Sequence, residues 1–217
     1  MKDRFLIIIV SIVSLLIGML ISFLLLNTDS SLVSLPKPEV TGGERGQLGI
    51  DKNINEETID NYLNRSDSVY RDMRMLVDPG NYAAIGGDSY LSGIVQGFEV
   101  VPYPLLTKVK GLPKEVGDSY TGKTLFTQNE DGTYKANYKE SLEYLEYYFP
   151  KDKYIFLMCG GGGYAGMTKN LLVSLGWDEN KIYNVGGYWY YNGKNNVKKL
   201  HFNLTFIFIK AILFSKQ

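Results

Sequence analysis

Cys159 is the only cysteine in the chain, and Gly160, Gly161, Gly162 and Gly163 follow it directly, ahead of Tyr164 and Ala165. A thiolate is a nucleophile whose formation depends on what stabilises its charge. Glycines let the backbone curl tightly around the side chain before them, so that successive N–H groups can converge on it. A cysteine that merely fills space at the end of a strand gains nothing from such a run. Each of those glycines costs roughly 0.5–1 kcal/mol of extra chain entropy on ordering. The pattern therefore points to sulfur nucleophilicity.

Two elements must hold that loop. Tyr154 to Met158 is an apolar run of strand length, and Ala165 to Leu175 places Met167, Leu171, Leu172 and Leu175 at helical spacing before Gly176. The thiol then lies between a strand and a helix N-terminus, where peptide dipoles favour an anion. Ile182 to Val185 reads as the next strand and completes a βαβ unit. Upstream, 55–63 reads as a helix with acidic residues in its first turn, and 68–77 and 97–101 read as strands. Asp78-Pro79-Gly80-Asn81 reads as a turn, 82–85 as a short helix, 125–134 as a hairpin, and 138–149 as an amphipathic helix. Strands alternating with helices predict a parallel α/β sheet.

Four segments in order resemble the rhodanese-like family. The first is Asp72-Met73-Arg74 with Asp78-Pro79-Gly80-Asn81-Tyr82, similar to the family's Asp-x-Arg-(Asp/Glu)-Pro-x-x-Tyr with three residues inserted. The second is Gly93-Ile94-Val95-Gln96-Gly97-Phe98-Glu99-Val100-Val101-Pro102-Tyr103. The third is the Cys159 loop with its spacing to Gly176, and the fourth runs from Gly176-Trp177 through Ile182-Tyr183-Asn184-Val185-Gly186-Gly187-Tyr188-Trp189. The resemblance covers residues 54–193. It implies a three-layer α/β domain with a central parallel sheet, and Cys159 as a nucleophile that carries sulfane sulfur as a persulfide. It implies further that Gly160 to Gly163, with the N–H groups of Tyr164 and Ala165, hold the negative charge, with Asp72 and Arg74 in support. The partners expected on this basis are a small sulfur donor and a thiol acceptor; no cofactor or metal enters. Two positions depart from the family: Tyr164 stands where many active members carry arginine, and Ala165 where serine or threonine is common. A non-catalytic rhodanese-like module that binds a partner or senses redox state is the alternative.

Other chemistries fit less well. Gly161-x-Gly163-x-x-Gly166 matches a dinucleotide fingerprint, yet the following strand ends in Val185-Gly186-Gly187 without the carboxylate that would hold a ribose. No Gly-Lys-Ser/Thr follows the Cys159 glycines, as a phosphate loop at that position would need. A cysteine phosphatase needs arginine at the far end of the loop, and the single histidine, His201, falls outside the matched segment. The 17 tyrosines are expected to pack in the core and at its rim.

The 23 basic and 23 acidic residues cancel, and nothing clusters into a nucleic-acid surface. Phe5 to Leu26 carries no charge and is long enough to cross a ~30 Å hydrocarbon core. No small-residue cleavage pattern follows, so a single-pass membrane anchor through residues 5–26 is expected in preference to a signal peptide. Lys2 and Arg4 precede it and the next basic residue is Lys37, which places the N-terminus in the cytoplasm and the domain outside. The expected division is an anchor over 1–27, a flexible stalk over 28–53, the domain over 54–193, and a tail over 194–217 that includes the apolar segment Phe202 to Phe214.

Overall fold

Tyr154-Ile155-Phe156-Leu157-Met158-Cys159 is apolar throughout, the pattern of a strand covered on both faces. In this computed structural model it is an interior strand of a four-stranded sheet. The structure describes residues 34–42, 48–77, 91–110 and 120–197, with Ser14 and Gly18 as isolated positions. The chain divides into two units, Met1–Leu35 and Pro36–Gln217, and the elements described lie in the second. No helix among the described residues is long and apolar enough to cross a membrane, and the run Phe5–Leu26 lies outside them.

In chain order the elements are β1 (Val40–Thr41), β2 (Ile50–Asp51), β3 (Ser68–Asp72), β4 (Ile94–Val95), β5 (Glu99–Val100), α1 (Tyr103–Leu106), β6 (Phe126–Gln128), β7 (Tyr134–Ala136), α2 (Ser141–Tyr148), β8 (Tyr154–Cys159), α3 (Gly163–Ser174), β9 (Ile182–Gly187) and β10 (Asn196–Val197). The sheet runs β5-β3-β8-β9 and is parallel throughout. β6 and β7 form the expected hairpin. The helices expected over 138–149 and 165–175 are α2 and α3. The latter ends in a Schellman motif: Gly176, at φ +94°, donates to Val173 O, and Trp177 N–H donates to Leu172 O.

The two faces of the sheet differ. On one, Ile155, Leu157 and Cys159 of β8 join a core with Leu106, Leu145 and Leu171 from α1, α2 and α3. On the other, the strands and their approaches set Phe98, Tyr70, Phe156 and Tyr183 in a row, with ring centroids 5.5, 5.1 and 4.9 Å apart. Each such pair adds about 0.5–1.5 kcal/mol beyond the burial of its area. The row is tied to the segment that covers it, since Tyr70 donates to Tyr62 O and Tyr183 to Pro36 O. The result is a central parallel sheet flanked by helices, consistent with a three-layer α/β fold.

Three expectations change. The helix read over 55–63 is a set of turns with one 3-10 turn, Ile59–Asn61. Short polar side chains compete there for the backbone: Asn55 Oδ1 accepts from Glu57 N–H, Thr58 Oγ1 accepts from Asn55 N–H, and Asp51 Oδ1 accepts from Asn53 and Ile54 N–H. The stalk read over 28–53 is, over its described part, folded structure. β1 pairs with β2, and Asp51, 1% exposed, also accepts from Glu39 N–H. The domain likewise continues past Gly193, because β10 pairs with β4 while Asp60 and the Tyr191 hydroxyl accept from the Lys194 and Asn195 amides. The turn expected at 78–81, the helix at 82–85 and the tail beyond Val197 lie outside the described residues.

Candidate active site: a thiol under a glycine loop

Cys159 ends β8, and α3 begins four residues later at Gly163. Between them Gly162 is the helix N-cap at φ +101°, in the left-handed region where only glycine is unstrained. That turn aims the Gly162 N–H at Cys159 Sγ, 3.0 Å away. The backbone amides of Ala165 and Tyr164, in the first turn of α3, also favour the thiolate.

The thiol is 2% exposed. Burial pushes its pKa above the ordinary thiol value; the amides of Ala165, Gly162 and Tyr164 pull it down, and the Asp72 carboxylate adds to the rise. Desolvation is the largest of these effects and outweighs the pull of the peptide dipoles toward the anion.

The loop is walled closely. A Cβ at Gly160 would stand 2.5 to 2.8 Å from three ring atoms of Trp189, and one at Gly187 would stand 2.8 Å from Gly161 Cα. Trp189 N–H donates to Gly160 O. The glycines at 160 and 187 therefore allow the loop, β9 and the indole to meet. Tyr164, in place of the expected cation, is 5% exposed and stacks on Tyr103 at 5.7 Å. Its ring joins the apolar core and brings no charge to the sulfur.

The other predicted residues gather around this end of the sheet. Asp72 ends β3, beside β8, and Met73 N–H donates to Met158 O. Arg74 binds Asp72 through Nε, 3.0 Å from Oδ1, and through Nη2, 2.5 Å from Oδ2; Nη2 also reaches Gly93 O at 2.7 Å. The guanidinium lies 4.1 Å over the Tyr188 ring. Val101 and Tyr103 N–H donate to Asp72 O and Met73 O. Parts of all four segments thus come to the carboxyl ends of the strands: Asp72 to Arg74, Val101 and Tyr103, the Cys159 loop, and Gly186 to Trp189, whereas Gly176, Trp177 and Ile182 of the fourth lie toward the other end of β9. Lys169, the first cation past the loop, is 7% exposed and 3.8 Å from Glu179. Burial pushes its ammonium down in pKa, and Glu179 and Asp51 oppose that.

One residue of the site was not singled out by type. Asn184, 1% exposed in β9, donates from Nδ2 to Gly162 O at 3.1 Å and to Gly49 O, while Oδ1 accepts from Gly186 N–H at 3.1 Å. A carboxamide inside the apolar strand Ile182-Tyr183-Asn184-Val185 was the available signal. Among the described residues no cluster of His, Cys, Asp or Glu is placed to hold a metal ion.

Fold and site together define a parallel α/β domain with a lone buried thiol held by backbone amides at a helix N-terminus. No family model, curated protein or solved structure matches the chain.

Proposed function

We propose that the chain is a membrane-anchored rhodanese-like protein whose domain faces outward and carries sulfane sulfur on Cys159. The observation that carries this reading is the Gly162 N–H directed at Cys159 Sγ from the N-cap of α3, with the Tyr164 and Ala165 amides also favouring the thiolate. Neutral amides at a helix N-terminus suit a group whose charge appears and disappears during a cycle.

The chemistry is two displacements at sulfur. The Cys159 thiolate attacks the outer sulfur of a donor of the thiosulfate or persulfide class. A new S–S bond forms, the donor's own S–S bond breaks, and sulfite or a thiolate leaves with the electron pair. Cys159 then bears a persulfide whose charge the loop amides stabilise. An acceptor thiolate attacks the terminal sulfur, the Cys159 S–S bond breaks, and the cysteine thiolate returns. No net oxidant or reductant is needed.

Intact mass of the full chain after exposure to a low-molecular-weight persulfide tests the reading. One sulfur, ~32 Da, is expected, removed by excess thiol and absent from Cys159→Ala. Failure to gain that mass, or a gain that survives Cys159→Ala, overturns it.

A second reading is supported by the depth of the thiol and by Tyr164 standing where a cation would bind an anionic donor. It is a rhodanese-like module that binds a partner or senses redox state without turnover. It is favoured if sulfur added to Cys159 is not passed on to an acceptor thiol.

A further inference from the structure

Gly162 is pinned from both sides. Its N–H points at Cys159 Sγ, and its carbonyl accepts from Gly166 N–H at 3.0 Å, the first bond of α3, and from Asn184 Nδ2 at 3.1 Å. The carboxamide orientation follows from its neighbours. Two carbonyls, Gly49 O and Gly162 O, face one end and need a donor; the Gly186 N–H faces the other and needs an acceptor. The room for this is built in: a Cβ at Gly166 would stand 3.2 Å from Asn184 Nδ2. Asn184 also sits where the β8–β9 register shifts, between its own pairing with Leu157 and that of Gly186 with Met158.

Glycine adopts positive and negative φ with nearly equal ease. Nothing in Gly162 itself therefore holds φ at +101°, and rotation of the 161–162 peptide would turn its N–H away from the sulfur. The carbonyl belongs to the next peptide unit, 162–163, and its bonds fix that plane and the place of the Gly162 Cα from which the N–H is directed at the sulfur. Of the two, the Gly166 bond belongs to the helix and forms wherever α3 forms; the Asn184 bond comes from another strand and ties the loop to the sheet.

We infer that Asn184 is the positioning residue of the sulfur loop, holding Gly162 in the conformation that presents its N–H to Cys159. The effect of Asn184 on reactivity rests on the sulfur-carrier reading; its hold on Gly162 does not.

The test uses the full chain in detergent micelles with isotope-labelled glycine. The Gly162 amide proton is expected downfield in the wild type and shifted upfield in Cys159→Ala, where the acceptor is gone. Asn184→Asp keeps the side-chain shape and the acceptor for Gly186 but removes both donated bonds. It is expected to shift the Gly162 amide upfield with the sulfur still present, and to cut persulfide yield roughly tenfold or more. Asn184→Ala is expected to do the same. A Gly162 amide that stays at its wild-type position in both variants overturns the inference.

Should neither variant fold, the coupling is read from the other end, since it is reciprocal. The Asn184 carboxamide protons are then expected to move in Cys159→Ala, and their staying in place overturns the inference. A shifted Gly162 amide in a chain whose wild type takes up no sulfur would sink the sulfur-carrier reading alone, so the two ideas fail separately.

Discussion

At the scale of single residues, the site is a contest between burial and peptide dipoles around Cys159, and the contest has a measurable outcome. Because burial dominates and raises the thiol pKa, the folded chain holds its proton more tightly than the unfolded chain, whose thiol ionises near ~8.5. The burial contribution to stability is therefore fully present below that value and declines as pH rises toward the raised folded value. Native Cys159 is expected to alkylate slowly at neutral pH, with a rate that keeps climbing above the pH at which the denatured chain levels off. A native profile that levels off below the denatured one would contradict this. Asp72 offers a second handle, since its carboxylate raises the thiol pKa and is itself bound to the buried Arg74. Asp72→Asn should shift the alkylation profile to lower pH and, by leaving a buried guanidinium without its partner, cost about 3–5 kcal/mol in denaturant unfolding. The sequence pointed to a turn of backbone beside the thiol, and of the four glycines Gly162 is the one whose N–H is directed at the sulfur, while Gly160 faces the Trp189 ring. The inward turn of Tyr164 and the bonds of Asn184 could not be read there, because their partners, Tyr103, Gly49 and Gly162, are remote in sequence.

At the scale of elements, the loop is set by what stands against it. Gly160 faces the Trp189 ring so closely that a single methyl would collide with it. Gly160→Ala is expected to destabilise the domain by roughly 1–3 kcal/mol, the usual cost of overpacking. If the indole is the cause, Trp189→Ala should relieve much of that cost in the double variant, giving a coupling of about 1 kcal/mol or more in a double-mutant cycle. Additive effects would show that the backbone conformation, not the indole, demands glycine there. Elements whose partners are apolar were readable from periodicity: β8, β9, α2 and α3 all fall within a few residues of their expected spans. Residues 34–63 were misread for one reason. Asp51, Asn55 and Thr58 bond the nearby backbone through their side chains, and that arrangement leaves no periodic trace.

At the scale of the whole molecule, sheet order explains why the site is where it is. From β3 the chain moves outward to β5, then returns to place β8 on the other side of β3. Connections therefore depart in opposite directions between β3 and β8, and the crevice outside their carboxyl ends is the general binding place in open parallel sheets. Asp72 ends one of those strands and Cys159 the other. Sequence order alone predicted parallel strands but not this reversal, which depends on pairing between distant segments. The same division of the chain carries the last prediction. The core that holds the Cys159 loop lies within Pro36–Gln217, while the uncharged run Phe5–Leu26 lies within Met1–Leu35. A run of that length should hold the full chain in the membrane fraction through washes with high salt, because burial of apolar side chains is not screened by ions. Removing residues 1–35 should release the chain into the soluble fraction with its Cys159 alkylation profile unchanged. The proposed orientation, with Lys2 and Arg4 in the cytoplasm, predicts that protease added to intact cells digests the domain. Full chain that washes off with salt would remove the anchor from the proposal, and protection from external protease would reverse the orientation. Neither outcome would alter the chemistry proposed for Cys159.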